Sequence, residues 1–248
     1  MKKSLLITLL GIFVAGAALA QSEETRSLSS FSEISAHEGI DVFIKAGDKE
    51  EARIVSDSHD LDEVLTEVSG GRLKIHLEGN NHRNIDVDVY VTYKSINAIS
   101  ASSAASLTAE GTIDANGSDF DIDVSSAGDI EASIENADEV EIDASSAGDA
   151  KLRIEAIEIN AEVSSAGEIE ISGVVKKQDI QASSSGDYDG YDLESDEVEA
   201  SASSGGGIKV NVSKKLDARA SSGGSVRYKG SPTYLDASSS SGGSVRKS

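Results

Sequence analysis

Paired serines, a few histidines, many carboxylates and a handful of tyrosines are the residues of this chain with chemical potential. The serine pairs begin at Ser102, Ser125, Ser145, Ser164, Ser183, Ser203, Ser221 and Ser240. A serine nucleophile needs a base within hydrogen-bond reach. His37, His59, His76 and His82 are the only histidines, and all precede the first pair. They form neither HxH nor HExxH, so no metal spacing is legible among them. The absence of cysteine removes disulfides, Fe–S clusters and thiol catalysis.

Carboxylates are too abundant to single out a catalytic pair. Glycosidase chemistry needs one acid whose setting raises its pKa, yet nearly every outward strand position here is Asp or Glu. One cluster differs. Asp187, Asp189 and Asp192 surround Gly190 in the run Asp187-Tyr188-Asp189-Gly190-Tyr191-Asp192. Calcium takes six to eight oxygen ligands, so this segment is a calcium candidate, with a solvated turn as the other reading. No other cofactor is expected. Tyr188, Tyr191, Tyr228 and Tyr234 could stack on sugars or fill the core, and parity decides neither Tyr188 nor Tyr191. The expectation is that the chain is not an enzyme.

The serines are better explained by the elements that carry them. Each pair opens a four-residue step, Ser-Ser-Ala-Gly in the best cases: Ser125, Ser126 and Gly128; Ser145, Ser146 and Gly148; Ser164, Ser165 and Gly167. Successive steps are 23, 20, 19, 19, 20, 18 and 19 residues apart. Before each step, apolar and acidic residues alternate: Phe120, Ile122 and Val124 with Asp119, Asp121 and Asp123; Val140, Ile142 and Ala144 with Glu139, Glu141 and Asp143. Period two marks a strand with one buried and one wet face. A second strand follows each glycine, as in Ile130, Ala132 and Ile134. One such unit cannot bury its own apolar face, but stacked units share a core. The sequence therefore predicts an all-β chain: a parallel right-handed β-helix or solenoid of about eight short coils of about nineteen residues. The steps are its corners. There the second serine is expected inward, the hydroxyls bonding along the ladder and the glycine supplying positive φ.

Residues 1–20 read as a signal peptide: Lys2 and Lys3, an apolar run from Leu5 to Leu19, then Ala18-Leu19-Ala20 before a cut at Gln21. No second long apolar run follows, so no transmembrane segment is expected after cleavage. Residues 21–98 read as a β-rich N-terminal cap and first coils, and residues 99–248 as the repeat coils of the same domain. Strands are expected at Ile40–Ile44, Ala52–Val55, Leu73–Leu77 and Ile85–Val91, with a hairpin turn at Ser69-Gly70-Gly71.

Phe31-x-x-Ile34 and Glu38-Gly39-Ile40-Asp41-Val42-Phe43-Ile44 are followed by Asp60-Leu61 and Glu67-Val68-x-x-Gly71-x-Leu73-x-Ile75. Then come Ile85-Asp86-Val87 and the Ser/Gly repeats. In that order these motifs resemble the bacterial exported head GIN domain family, described as an autotransporter adhesin, over roughly residues 30–230. The resemblance implies a parallel β-helix-like fold and a surface or periplasmic role, and it carries over no catalytic residue.

Charge bounds the partners. The formal net charge of −22 becomes −24 without Lys2 and Lys3. Residues 21–204 hold 12 Lys/Arg against 42 Asp/Glu, and residues 205–248 hold 8 against 2. So acidic a body repels nucleic acid. The expected partner is a protein or glycan of the cell envelope, with self-association between the opposite-charged ends. The expected role is a non-enzymatic adhesion or interaction scaffold that is exported to the periplasm, cell surface or medium. The alternatives are a carbohydrate-binding or carbohydrate-active β-helix and a calcium-stabilised module.

Overall fold

The computed structural model describes residues 22–79 and 82–248; the expected signal peptide lies outside them. The described residues form one 17-stranded sheet wound into a solenoid. Its first section comprises β1 (Ser22–Ser27), β2 (Glu33–Ala36), β3 (Asp41–Ala46), β4 (Glu51–Ser56), β5 (Val64–Ser69), β6 (Arg72–Leu77), β7 (Val87–Tyr93) and β8 (Ala98–Ala101). The coils follow as β9 (Ser106–Val124), β10 (Asp129–Ala144), β11 (Asp149–Val163), β12 (Glu168–Ala182), β13 (Asp187–Ala202) and β14 (Gly207–Ala220). The last section comprises β15 (Ser225–Gly230), β16 (Tyr234–Ser239) and β17 (Ser244–Lys247). Among the described residues no helix is long and apolar enough to cross a membrane.

From β9 to β14 each strand is a whole coil that leaves one corner, bends, and arrives at the next. The two strands expected on either side of each coil's bend are not separated by a turn. The ladder instead runs through the bend, with register shifts such as that between Ile134 and Ala137. Every coil pairs in parallel with its neighbours, Ile142 beside Ala161 and Ile122, for example. Two walls result: an entry wall running into the corners and an exit wall leaving them. The alternating apolar residues of both face inward, and Phe120, Ile122, Val140, Ile142, Ile130 and Ile134 are buried. Each such side chain contributes about 1.5–3 kcal/mol of burial, and none could be buried by its own coil alone.

The corners overturn part of the sequence reading. In Ser145-Ser146-Ala147-Gly148 the left-handed residues are Ser146 (φ 52°) and Ala147 (φ 58°), not the glycine. The Gly148 amide donates to the Ser145 carbonyl at 2.9 Å, so the step is a type I′ turn. Ser126, Ser146 and Ser165 are exposed, not inward. The corners are joined by backbone instead: the Ala127 amide donates to the Ser146 carbonyl and the Ala147 amide to the Ser165 carbonyl, each at 3.1 Å. Glycine closes the step because the coils approach too closely for a side chain. A Cβ on Gly148 would lie 2.6 Å from the Val124 carbonyl oxygen, and one on Gly128 2.5 Å from that of Ala101.

The same turn already occurs at His37-Glu38-Gly39-Ile40, where Glu38 (φ 63°) and Gly39 (φ 68°) are left-handed. The Gly39 amide donates to the Ser103 carbonyl at 3.0 Å, as the Ala104 amide does to that of Ser126 at 3.1 Å. This is the first corner of the stack. Beneath it the sheet turns antiparallel, with β5 on β6 in the entry wall and β1 on β4 on β7 in the exit wall. Arg26 closes the mouth between the walls. Its guanidinium pairs with Glu24 at 2.7 Å and donates to the Leu61 carbonyl at 2.8 Å.

Two substitutions in one corner separate close approach from φ. Gly148→Ala should cost about 2–4 kcal/mol through overpacking on Val124. Ala147→Gly should be neutral or stabilising by up to about 1 kcal/mol, since it relieves a left-handed alanine. Urea denaturation of both variants checks this; equal losses would refute the assignment.

Candidate functional site

Inward positions are consumed by the core, so any site must lie on the outer faces. On the entry wall these are columns of like charge. Asp121, Glu141, Asn160, Asp179, Glu199 and Asp217 occupy one register position in successive coils, and Asp123, Asp143 and Glu162 another. Like charges directly across a ladder repel. Burial, then Glu162, Glu141 and Asp123, raise the Asp143 carboxyl above its ordinary value. Burial, Asp149 and Glu131 do the same to Asp129.

The exit wall begins with such a column too, Asp129, Asp149, Glu168 and Asp187, but differs beyond it. Here β13 carries an irregularity: Glu170 pairs with Asp189 but Ser172 with Asp192, so β13 holds one extra residue between them. Bulges re-aim side chains, and this one brings Tyr191 to a concavity of about 510 Å³ on the outer face. Lys151, Arg153, Lys229, Glu131, Glu170, Asp189 and Asp192 also line it. Gly190 permits the bulge, because a Cβ there would meet the Tyr188 ring at 2.7 Å. The Tyr191 ring lies 5.5 Å from the Lys229 ammonium, and its hydroxyl is hydrogen-bonded to Ser248. Tyr188, three residues earlier, is a core residue. It is fully buried, its hydroxyl donates to Gln178 Oε1 at 2.8 Å, and burial raises its pKa.

The calcium candidates do not converge. Asp189 pairs with Lys209 at 2.7 Å, Asp192 with Lys229 at 3.5 Å, and Asp187 is exposed on its own strand position. Among the described residues no three His, Cys, Asp or Glu are gathered to hold a metal ion. The groove is instead a place of mixed charge. Glu131, Lys151, Glu170, Asp189 and Lys209 follow one another up a single outward column. Tyr191 supplies an aromatic face beside them. Such a surface can hydrogen-bond polar groups and stack on a ring.

Sequence spacing could not see one constellation that the topology assembles. Ser35 Oγ lies 2.7 Å from His37 Nε2, and Ser102 Oγ lies 2.8 Å from His37 Nδ1. Ser100 Oγ donates to Ser35 Oγ at 2.9 Å. The distances are those of a serine–histidine dyad, but the surroundings differ. Ser35 is buried at 6 % exposure, and both ring nitrogens are held by hydroxyls rather than one by a carboxylate. The imidazole stitches the first corner to the second. Burial first, then the charge of Lys74, lowers the His37 pKa.

Both shifts make stability depend on pH, in opposite senses. A carboxyl raised above its unfolded value favours the fold below that value, and the gain is lost as pH rises through the folded value. Asp143→Asn should therefore stabilise the protein near neutral pH, by an amount that shrinks as pH falls toward about 4. For His37 the neutral form favours the fold above about pH 6.5, and that support fades as pH falls toward the lowered folded value. His37→Gln should be less stable than wild type at about pH 7.5, with the gap narrowing at about pH 5.5. Melting temperatures across this range test both; parallel curves would contradict the shifts.

The family model described as "Putative auto-transporter adhesin, head GIN domain" matches residues 30–232. No protein of curated function matches the chain. Several crystal structures share its fold. A "putative adhesin" from Parabacteroides distasonis superposes with TM-score 0.86 at 20 % identity, over 92 % of this chain and 97 % of that one. A "putative adhesin" from Parabacteroides merdae gives 0.84 at 17 % identity, over 92 % and 96 %. A "putative lipid binding protein" from Parabacteroides distasonis gives 0.80 at 22 % identity, over 92 % and 96 %.

Proposed function

We infer that this chain, which belongs to the head GIN domain family, is an exported, non-enzymatic scaffold that binds a component of the cell envelope. The observation that carries this reading is the division of labour along every strand. Inward residues build a continuous core, and outward residues form fixed columns one ladder spacing apart, about 4.8 Å. Side chains on such a frame are held in place rather than folded around a substrate. That suits adhesion to a repetitive or extended partner better than turnover. Acidic columns on both walls select against anionic polymers, and the mixed-charge groove of the exit wall is the better binding face.

A second reading is favoured by Tyr191. An aromatic ring set out by a bulge beside Lys151, Lys229, Glu131 and Asp189 is the kind of surface that holds a sugar. On this reading the envelope component is a glycan, and the groove is its site.

One experiment addresses both. The purified protein is immobilised, exposed to native envelope extract, and in parallel applied to a glycan array. Saturable capture is expected, and Tyr191→Ala should weaken glycan binding about tenfold, or about 1.4 kcal/mol. Release of shortened or unsaturated sugars from a bound glycan would replace the scaffold reading with an enzyme.

A further inference from the structure

The two ends of the stack are built differently. In the described residues β1 and β5 are the outermost strands at one end, each paired on one side only, with β4 and β6 respectively. β16 and β17 hold the same position at the other end, on β14 and β15. The first end is acidic. Glu23 on β1 and Glu67 on β5 are more than half exposed, and Asp62 and Glu63 of the intervening turn are exposed beside them. The second end is basic: Lys209, Arg227 and Arg246 stack in one outward column, and Lys247 takes the inward position above Tyr228.

Both ends present an unpaired strand edge in each wall. In the entry wall Leu235 continues the buried column of Val198 and Leu216, yet stands 48 % exposed because no coil covers it. In the same wall at the other end the inward row of β5 is Val64, which is buried, with Thr66 and Val68, which are half-buried, and Arg26 reaches the Val64 carbonyl. In the exit wall β17 ends on Arg246 and Lys247, and β1 carries Glu23 and Glu24. An unpaired edge with uncovered apolar residues is a template for another strand.

We propose that the basic end of one copy docks on the acidic end of a second, setting β16 against β5 and β17 against β1. The occupant is a second copy because one molecule carries both complementary charges and both unpaired edges. Two basic ends meeting would place Arg246 and Lys247 against their own copies. The contact is heterologous, so it propagates into a chain of solenoids rather than closing as a dimer.

Sedimentation velocity on the purified chain tests this across protein concentration and salt. Mass should rise with concentration at about 20 mM salt and fall back to monomer at about 0.5 M, where surface charges are screened. Two variants separate the ends: Glu23→Lys with Glu67→Lys, and Arg246→Glu with Lys247→Glu. Each alone should stay monomeric, and mixing them should restore association, since each keeps the end that the other has reversed. All four positions are at the edges, so melting curves close to wild type identify folded variants, and restoration on mixing requires folded partners. Leu235→Asp should weaken association at least tenfold without reversing a rim charge. Wild type that stays monomeric at low salt, a variant pair that associates alone, or a mixture that does not recover would overturn the proposal.

Discussion

The structure depends on how closely successive coils approach at the corner. At Gly148 a single added carbon would sit 2.6 Å from the backbone oxygen of Val124, and the same contact recurs at Gly128 and Gly167. That contact fixes the register of one coil on the next. Register in turn decides which side chains face in, because a slip of one residue would turn every apolar residue outward. The corner therefore sets the core, and the core holds the walls whose outer faces carry the charge. The type I′ turn that achieves this puts Ser146 and Ala147 at positive φ, at about 1–2 kcal/mol each. Backbone bonds between adjacent corners and the burial of the flanking rows offset that strain.

Much of this was legible because both signals are periodic. The alternation of Val140, Ile142 and Ala144 with acids, repeated about every nineteen residues, admits little besides stacked parallel strands. What the step does was not legible. Glycine at a turn suggests positive φ, and only the neighbouring coil reveals that Gly148 is there for space. Serine in a tapering apolar row suggests an inward side chain, but the turn reverses the backbone at that point and sends Ser146 to solvent. The first corner was hidden for the same reason. His37-Glu38-Gly39-Ile40 has the backbone of the later steps but shares with them only a glycine in third place, as at Gly205.

The groove was half legible. Asp187, Asp189, Tyr191 and Asp192 stood out by composition, and the structure places Asp189, Tyr191 and Asp192 at one concavity. Their partners did not stand out. Lys209 and Lys229 lie on later coils, some 20 and 37 residues from the aspartates that they pair with. A solenoid brings together residues one period apart, so a local motif is only one row of a site whose columns run across the repeat. The same rule explains the His37 network, where Ser102 lies 65 residues away in sequence and 2.8 Å away in space.

A repeat also creates a problem that a closed fold does not have, since its core must stop somewhere. Among the described residues the two ends of the stack are treated differently. At the first end Glu24 and Arg26 take inward positions on β1 and pair with each other, and Arg26 donates to the Val64 and Leu61 carbonyls across the mouth. Inward charge on an edge strand blunts further pairing. At the other end only Lys247 plays that part, while Leu235 and Val245 continue their rows without cover. The entry-wall edge of the first end is closed in part by the same Arg26, which holds the Val64 carbonyl and reaches Thr66, and Val64 is buried. Edge blunting is thus concentrated at the first end, and the bare apolar residue is Leu235 at the other. Blunting one end with charge and baring the other restricts the partners of the basic end, and the chain's own acidic end carries the opposite charge.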